Sequence, residues 1–171
     1  MHKGIATSAV LIAVAVAVGL LLAAVPNVEG ISAVCFISGF LLGWKRGGLV
    51  GATAMVLLSL LNPLGPAPPP VFAAQVVGMG LIGMAGSLLR GFHSGRARVG
   101  FYSMASGALL TLIYDILTNY GVAVSIGRWR NPAAIMLAGI PFSAIHIVSN
   151  AVIFGAAGAL VARRWPHRSE N

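Results

Sequence analysis

The chain has 171 residues, of which 58% are hydrophobic and only 8% charged, with a mean hydropathy of +0.92. Soluble domains carry about 25% charged residues, so the composition excludes a soluble fold and places the chain in a bilayer. The formal net charge of +8 would point to nucleic acid only if a soluble basic domain existed to carry it; here the basic residues separate apolar segments, and no nucleic-acid partner is expected.

In chain order, His2 and Lys3 precede a first apolar segment, 4–25. It has about the 20 residues needed to span, more than the roughly 7–15 of a signal-peptide core, so it reads as a retained first helix. Pro26 and Asn27 end it. The second segment, 28–44, and the third, 48–61, are short. The run Asn62-Pro63-Leu64-Gly65-Pro66-Ala67-Pro68-Pro69-Pro70 cannot be helical, because proline lacks the donor and clashes with the preceding turn. Three further segments follow at 71–89, 99–120 and 135–162. The expected fold is an all-α membrane protein, a single domain over 1–171 built as a bundle of six transmembrane helices.

With the N-terminus inside, Lys3, Lys45, Arg46, Arg90, Arg96, Arg98, Arg163, Arg164 and Arg168 fall on the cytoplasmic side, and Arg128 and Arg130 outside. Orientation follows such a bias, so both termini are expected in the cytoplasm of a cell-membrane protein. Trp44 and Trp165 fall at inner edges, and Trp129 and Tyr120 at outer ones, where amphipathic rings belong.

Small residues recur every four positions: Ala9, Ala13 and Ala17 in the first segment, Gly39, Gly43, Gly47 and Gly51 across the second and third, Ala74 and Gly78 in the fourth. Such ridges let helix backbones approach closely in lipid. The glycines read as packing within the bundle. The alanines lie on a single helix of a very small bundle, and packing and a face for another protein are both open.

The chain has only three acidic residues, and one of them, Asp115, sits inside the fifth apolar segment. A carboxylate there costs about 2.5–3.5 kcal/mol on insertion scales, so it is expected to face the bundle interior or a wet cavity. Asn119 follows one turn later on the same face. Gln75, about one turn into the fourth segment, Glu29 at the start of the second, and Asn62 at the proline loop lie toward the outer face. His146 and Asn150 share a face of the sixth at mid-depth, and Pro141 frees a carbonyl in that helix. An outward-facing polar pocket is expected, lined by Asp115, Asn119, Gln75, His146 and Asn150, with Asn62 and Glu29 at its mouth. A ligand with ring nitrogens or an amine, pyrimidine- or pterin-like, suits Asp115. Structural roles compete: Asp115 pairing with Arg128, and His146, Asn150 and Gln75 bridging helices.

No enzymatic activity is expected. The chain has no nucleophile elbow, no HExxH, no paired carboxylates and no Walker A sequence. The single Cys35 excludes an internal disulfide or a multi-cysteine metal site. It reads as packing, and no metal or other cofactor is expected.

The stretch Pro26-Asn27-Val28-Glu29-Gly30, the run Ile37 to Gly51 with its G-x-x-x-G spacing and basic pair Lys45-Arg46, and Ser59-Leu60-Leu61-Asn62-Pro63 before a Pro/Gly loop resemble the substrate-binding S components of energy-coupling factor (ECF) transporters. Ala9, Ala13 and Ala17 match the A-x-x-x-A motif of that family's first helix. The resemblance implies capture of a vitamin or related micronutrient from outside. It also implies docking through the first helix onto a transmembrane coupling protein served by two ATPase subunits, and release inside. The short outer loop at 26–30 argues against a long gating loop. The competing readings are a membrane assembly or scaffold protein, and a stand-alone small carrier or channel.

Overall fold

The computed structural model describes residues 2–63, 65–91 and 95–164; Trp165 and Arg168 lie outside them. Six α-helices follow in order: α1 (His2–Leu22), α2 (Ile31–Leu42), α3 (Trp44–Leu61), α4 (Pro69–Ala85), α5 (Arg96–Ser125) and α6 (Ala133–Arg164), with a 3-10 segment at Gly86–Gly91. Among the described residues there is no strand. Four helical stretches are long and apolar enough to cross a membrane: Gly4–Leu22, Pro69–Arg90, Arg96–Ser125 and Ala133–Arg163.

The helix boundaries differ from the sequence reading where punctuation was misjudged. The third helix begins at Trp44, not at 48, because Lys45, Arg46, Gly47 and Gly48 continue it. Only Gly43 interrupts the chain between α2 and α3, at φ +89°, a conformation open to glycine but costly for other residues. The second helix begins at Ile31, not at 28, because Val28 to Gly30 belong to the connecting segment. The fifth and sixth helices run longer at both ends, to 30 and 32 residues. The proline loop ends sooner than the sequence reading had it: Pro69 and Pro70, expected to be non-helical, open α4 at its first positions, where a missing N–H costs nothing.

Packing is backbone to backbone at the centre. A Cβ on Gly39 or Gly47 would run into the Gly83 carbonyl, one on Gly51 into the Met79 carbonyl, and one on Gly86 into the Phe36 carbonyl. The glycine ladder therefore presses the α2–α3 hairpin onto α4, which is how helices associate where lipid offers no hydrophobic drive. Gly78 accommodates the Tyr114 ring from α5, and Gly107 accommodates Phe154 from α6. Phe36 and Phe154 pack as a tilted pair, 5.0 Å between centroids, amid buried Ile31, Cys35, Met79 and Ile82.

Helix α1 stands at the edge, packed mainly on α2 and α3. Ala15, Val16 and Gly19 turn inward, while Ala9, Ala13 and Ala17 are exposed on the opposite side with Val10 and Val14. At one end of the bundle the Arg46 guanidinium lies against Gly4, and the Arg90 guanidinium lies beside Gly43. The opposite end carries the connections 23–30, 62–68 and 126–132.

Helix α2 is what shapes that second end. Its 12 residues span only about 18 Å, some 12 Å less than the hydrocarbon core. The 23–30 connection descends to meet it, with Gly30 and Ile31 buried. Asn27 takes φ 58°, a left-handed conformation that asparagine tolerates. Its carbonyl accepts a 2.8 Å hydrogen bond from the Ser149 hydroxyl of α6. The helix that stops short leaves room above its first turn.

Candidate functional site

That room is a cavity of about 820 Å³ walled by α1, the 23–30 segment, α3, α4, α5 and α6. Of the seven residues expected to line a pocket, Glu29, Asn62, Gln75, Asp115, Asn119 and His146 all border it. Asn150 does not. It lies one turn beneath, 1% exposed, where its amide donates to Thr111 Oγ1 at 3.0 Å and its oxygen accepts from Ser32 Oγ at 3.4 Å. The reason is the first turn of α2: Ile31 forms part of the cavity wall and Ser32 seals Asn150 below it.

Asp115 sits ten residues before the end of α5, about 15 Å along the helix. Its Oδ1 meets His146 Nδ1 of α6 at 2.7 Å, and the other ring nitrogen, Nε2, meets Glu29 Oε1 at 3.2 Å. The partner of Asp115 is thus His146, not Arg128. Three elements far apart in sequence converge on one imidazole. A neutral imidazole donates from one nitrogen only. Both contacts are hydrogen bonds only when one further proton is held, on the ring or on a carboxyl group. In either case Asp115, Glu29 and His146 together carry one net negative charge.

Two acceptors in this wall have no partner: Asp115 Oδ2 and Gln75 Oε1 are both buried without a hydrogen bond. A buried acceptor left unmatched costs about 1–3 kcal/mol. Asp115 as a whole is 8% exposed. Among the described residues no group of three histidine, cysteine or acidic side chains is disposed to hold a metal ion.

Other wall residues were not singled out as pocket residues. Tyr114, Phe142, Met55 and Ser59 border the cavity. Tyr114 meets the His146 ring edge-on at 6.0 Å, and its hydroxyl lies 4.0 Å from the Met55 sulfur. In sequence these read as ordinary apolar or small residues. Phe142 precedes His146 by one helical turn, and that i, i+4 relation was the available signal. Gly139 has a packing role: a Cβ there would lie 2.7 Å from the Asn119 amide nitrogen, so glycine lets Asn119 rest against α6.

Fold and cavity together define a multi-pass, all-helical membrane protein with a chamber of mixed polar and apolar lining at one end of its bundle. Over residues 3–156 the chain matches the family described as ECF transporter, substrate-specific component. It belongs to that family and is a substrate-binding subunit of a membrane transporter. Searches among curated proteins and among solved structures found no match.

Proposed function

We propose that the chain captures a vitamin or related micronutrient from outside the cell and delivers it through an ATPase-driven coupling complex. The observation that carries this reading is the convergence of Asp115, His146 and Glu29 on the wall of one large cavity. Ionisable groups inside a membrane protein mark substrate paths, and cavities of roughly 300–1,000 Å³ are the size of small-molecule sites. Glu29, Gln75, Asp115, Asn119 and His146 line the substrate site, with Asn62 at its rim; Asn150 supports the floor from below. All six helices cross the membrane, α2 incompletely, with both termini cytoplasmic. The cavity then opens outward, at the end bearing Arg128 and Arg130 rather than the basic end around Lys45, Arg46 and Arg90.

Ala9, Ala13 and Ala17 form the docking face for a transmembrane coupling protein, itself served by two ATPase subunits. Their exposure on an edge helix that packs mainly on two neighbours supports this over internal packing. The test is direct. The purified chain should bind a compound from growth medium saturably, identified by mass spectrometry. Asp115→Asn should weaken that binding by about tenfold or more, given about 1.5–3 kcal/mol for a charge-assisted bond. Absence of any bound small molecule, with membrane proteins co-purifying, would favour the scaffold reading instead.

A further inference from the structure

We infer that the cavity selects a small cationic nitrogen compound that donates N–H hydrogen bonds, of the amidinium or amino-heterocycle kind, and rejects ligands bearing phosphate or carboxylate. This rests on the reading that the cavity is the substrate site. Three observations carry it. First, the two unpartnered buried atoms of the wall, Asp115 Oδ2 on α5 and Gln75 Oε1 on α4, are both acceptors. Both residues border the cavity, and acceptors left without a partner favour a ligand that donates. Second, the Asp115–His146–Glu29 cluster sets two acidic side chains against a single imidazole, so its acidic groups outnumber the one cation they can share. A charge held away from water is costly unless paired, and a cationic ligand supplies the counter-charge. Third, no lysine or arginine is among the described residues bordering the cavity. An anionic ligand would bring like charge to Asp115 and Glu29 with no cationic side chain but His146, whose two nitrogens are already engaged.

The inference is tested with two probes of the same shape and opposite charge, benzamidinium and benzoate. Each is titrated into the full-length chain in lipid nanodiscs to millimolar concentration by calorimetry. Benzamidinium should bind saturably and benzoate at least tenfold more weakly. Gln75→Met, which keeps the length and removes the acceptor, should weaken benzamidinium several-fold. Asp115→Asn should shrink the preference between the two probes to threefold or less. The wild-type comparison needs no variant, so a variant that fails to fold does not protect the inference. Benzoate binding as tightly as benzamidinium overturns the assignment of ligand charge and leaves small-molecule capture standing. Saturable binding of neither probe, with a carboxylate or phosphate compound recovered from medium, overturns it in the same way. Binding of neither probe and recovery of no compound overturn both readings.

Discussion

His146 holds two carboxylates at once, and its removal is the sharpest test of the site's energetics. In His146→Leu the volume is nearly kept, but Asp115 and Glu29 lose their shared partner at 2.7 and 3.2 Å. With the proton on the ring, two charge-assisted bonds at about 1.5–3 kcal/mol each give an upper range of about 3–6 kcal/mol. Interhelical hydrogen bonds in bilayers average nearer 0.6 kcal/mol, with a maximum of about 1.7. Asp115 is left 8% exposed and uncompensated, which adds to the cost. We expect a loss of about 2–4 kcal/mol.

Reversible unfolding in mixed micelles, followed by circular dichroism as the denaturing detergent fraction rises, reads this quantity. A second variant separates lost bonds from stranded charge. Glu29→Gln with Asp115→Asn and His146→Leu leaves no carboxylate to strand, so the triple variant should recover at least half of what His146→Leu loses. A His146→Leu protein within about 0.5 kcal/mol of wild type would refute the argument. So would a triple variant no more stable than the single one.

Three further outcomes are expected. Ala13→Trp places a bulky ring on the exposed side of α1; it should abolish co-purification with a coupling protein and uptake while leaving ligand affinity unchanged, and surviving uptake would return the alanine ladder to lipid. In a Cys35→Ala background, cysteines at Ala67 and Gly127 should react with a membrane-impermeant thiol reagent from outside and one at Arg98 should not, with the reverse pattern inverting the topology. Gly47→Val would drive a side chain into the Gly83 carbonyl; overpacking of this kind costs about 1–3 kcal/mol, seen as lower folded yield and earlier unfolding, and a wild-type unfolding midpoint would discount the glycine packing.

The parts of this protein legible in its sequence are those where lipid makes chemistry expensive. Asp115 stood out because a carboxylate in an apolar helix has few tolerable surroundings. The glycine ladder was legible for a related reason, since close backbone approach is a principal means of association in a bilayer. What pairs with Asp115 was not legible. Arg128 was as reasonable a partner on the sequence as His146, because the register of α5 against α6 is set by side chains such as Phe154 seated on Gly107, not by any local pattern.

Asn150 shows the same boundary from the other direction. It shares a helical face with His146, and periodicity alone puts both in the pocket. The cavity ends between them because α2 starts at Ile31 and its first turn presses Ser32 against Asn150. Where α2 starts depends on how far the 23–30 segment descends, and that depends on two contacts across more than a hundred residues: Ser149 to the Asn27 carbonyl and His146 to Glu29. The helix that reads as too short to span is therefore the element that makes the chamber. Its missing turns give the cavity its depth, and the segment replacing them delivers Glu29 to the one imidazole that Asp115 already holds.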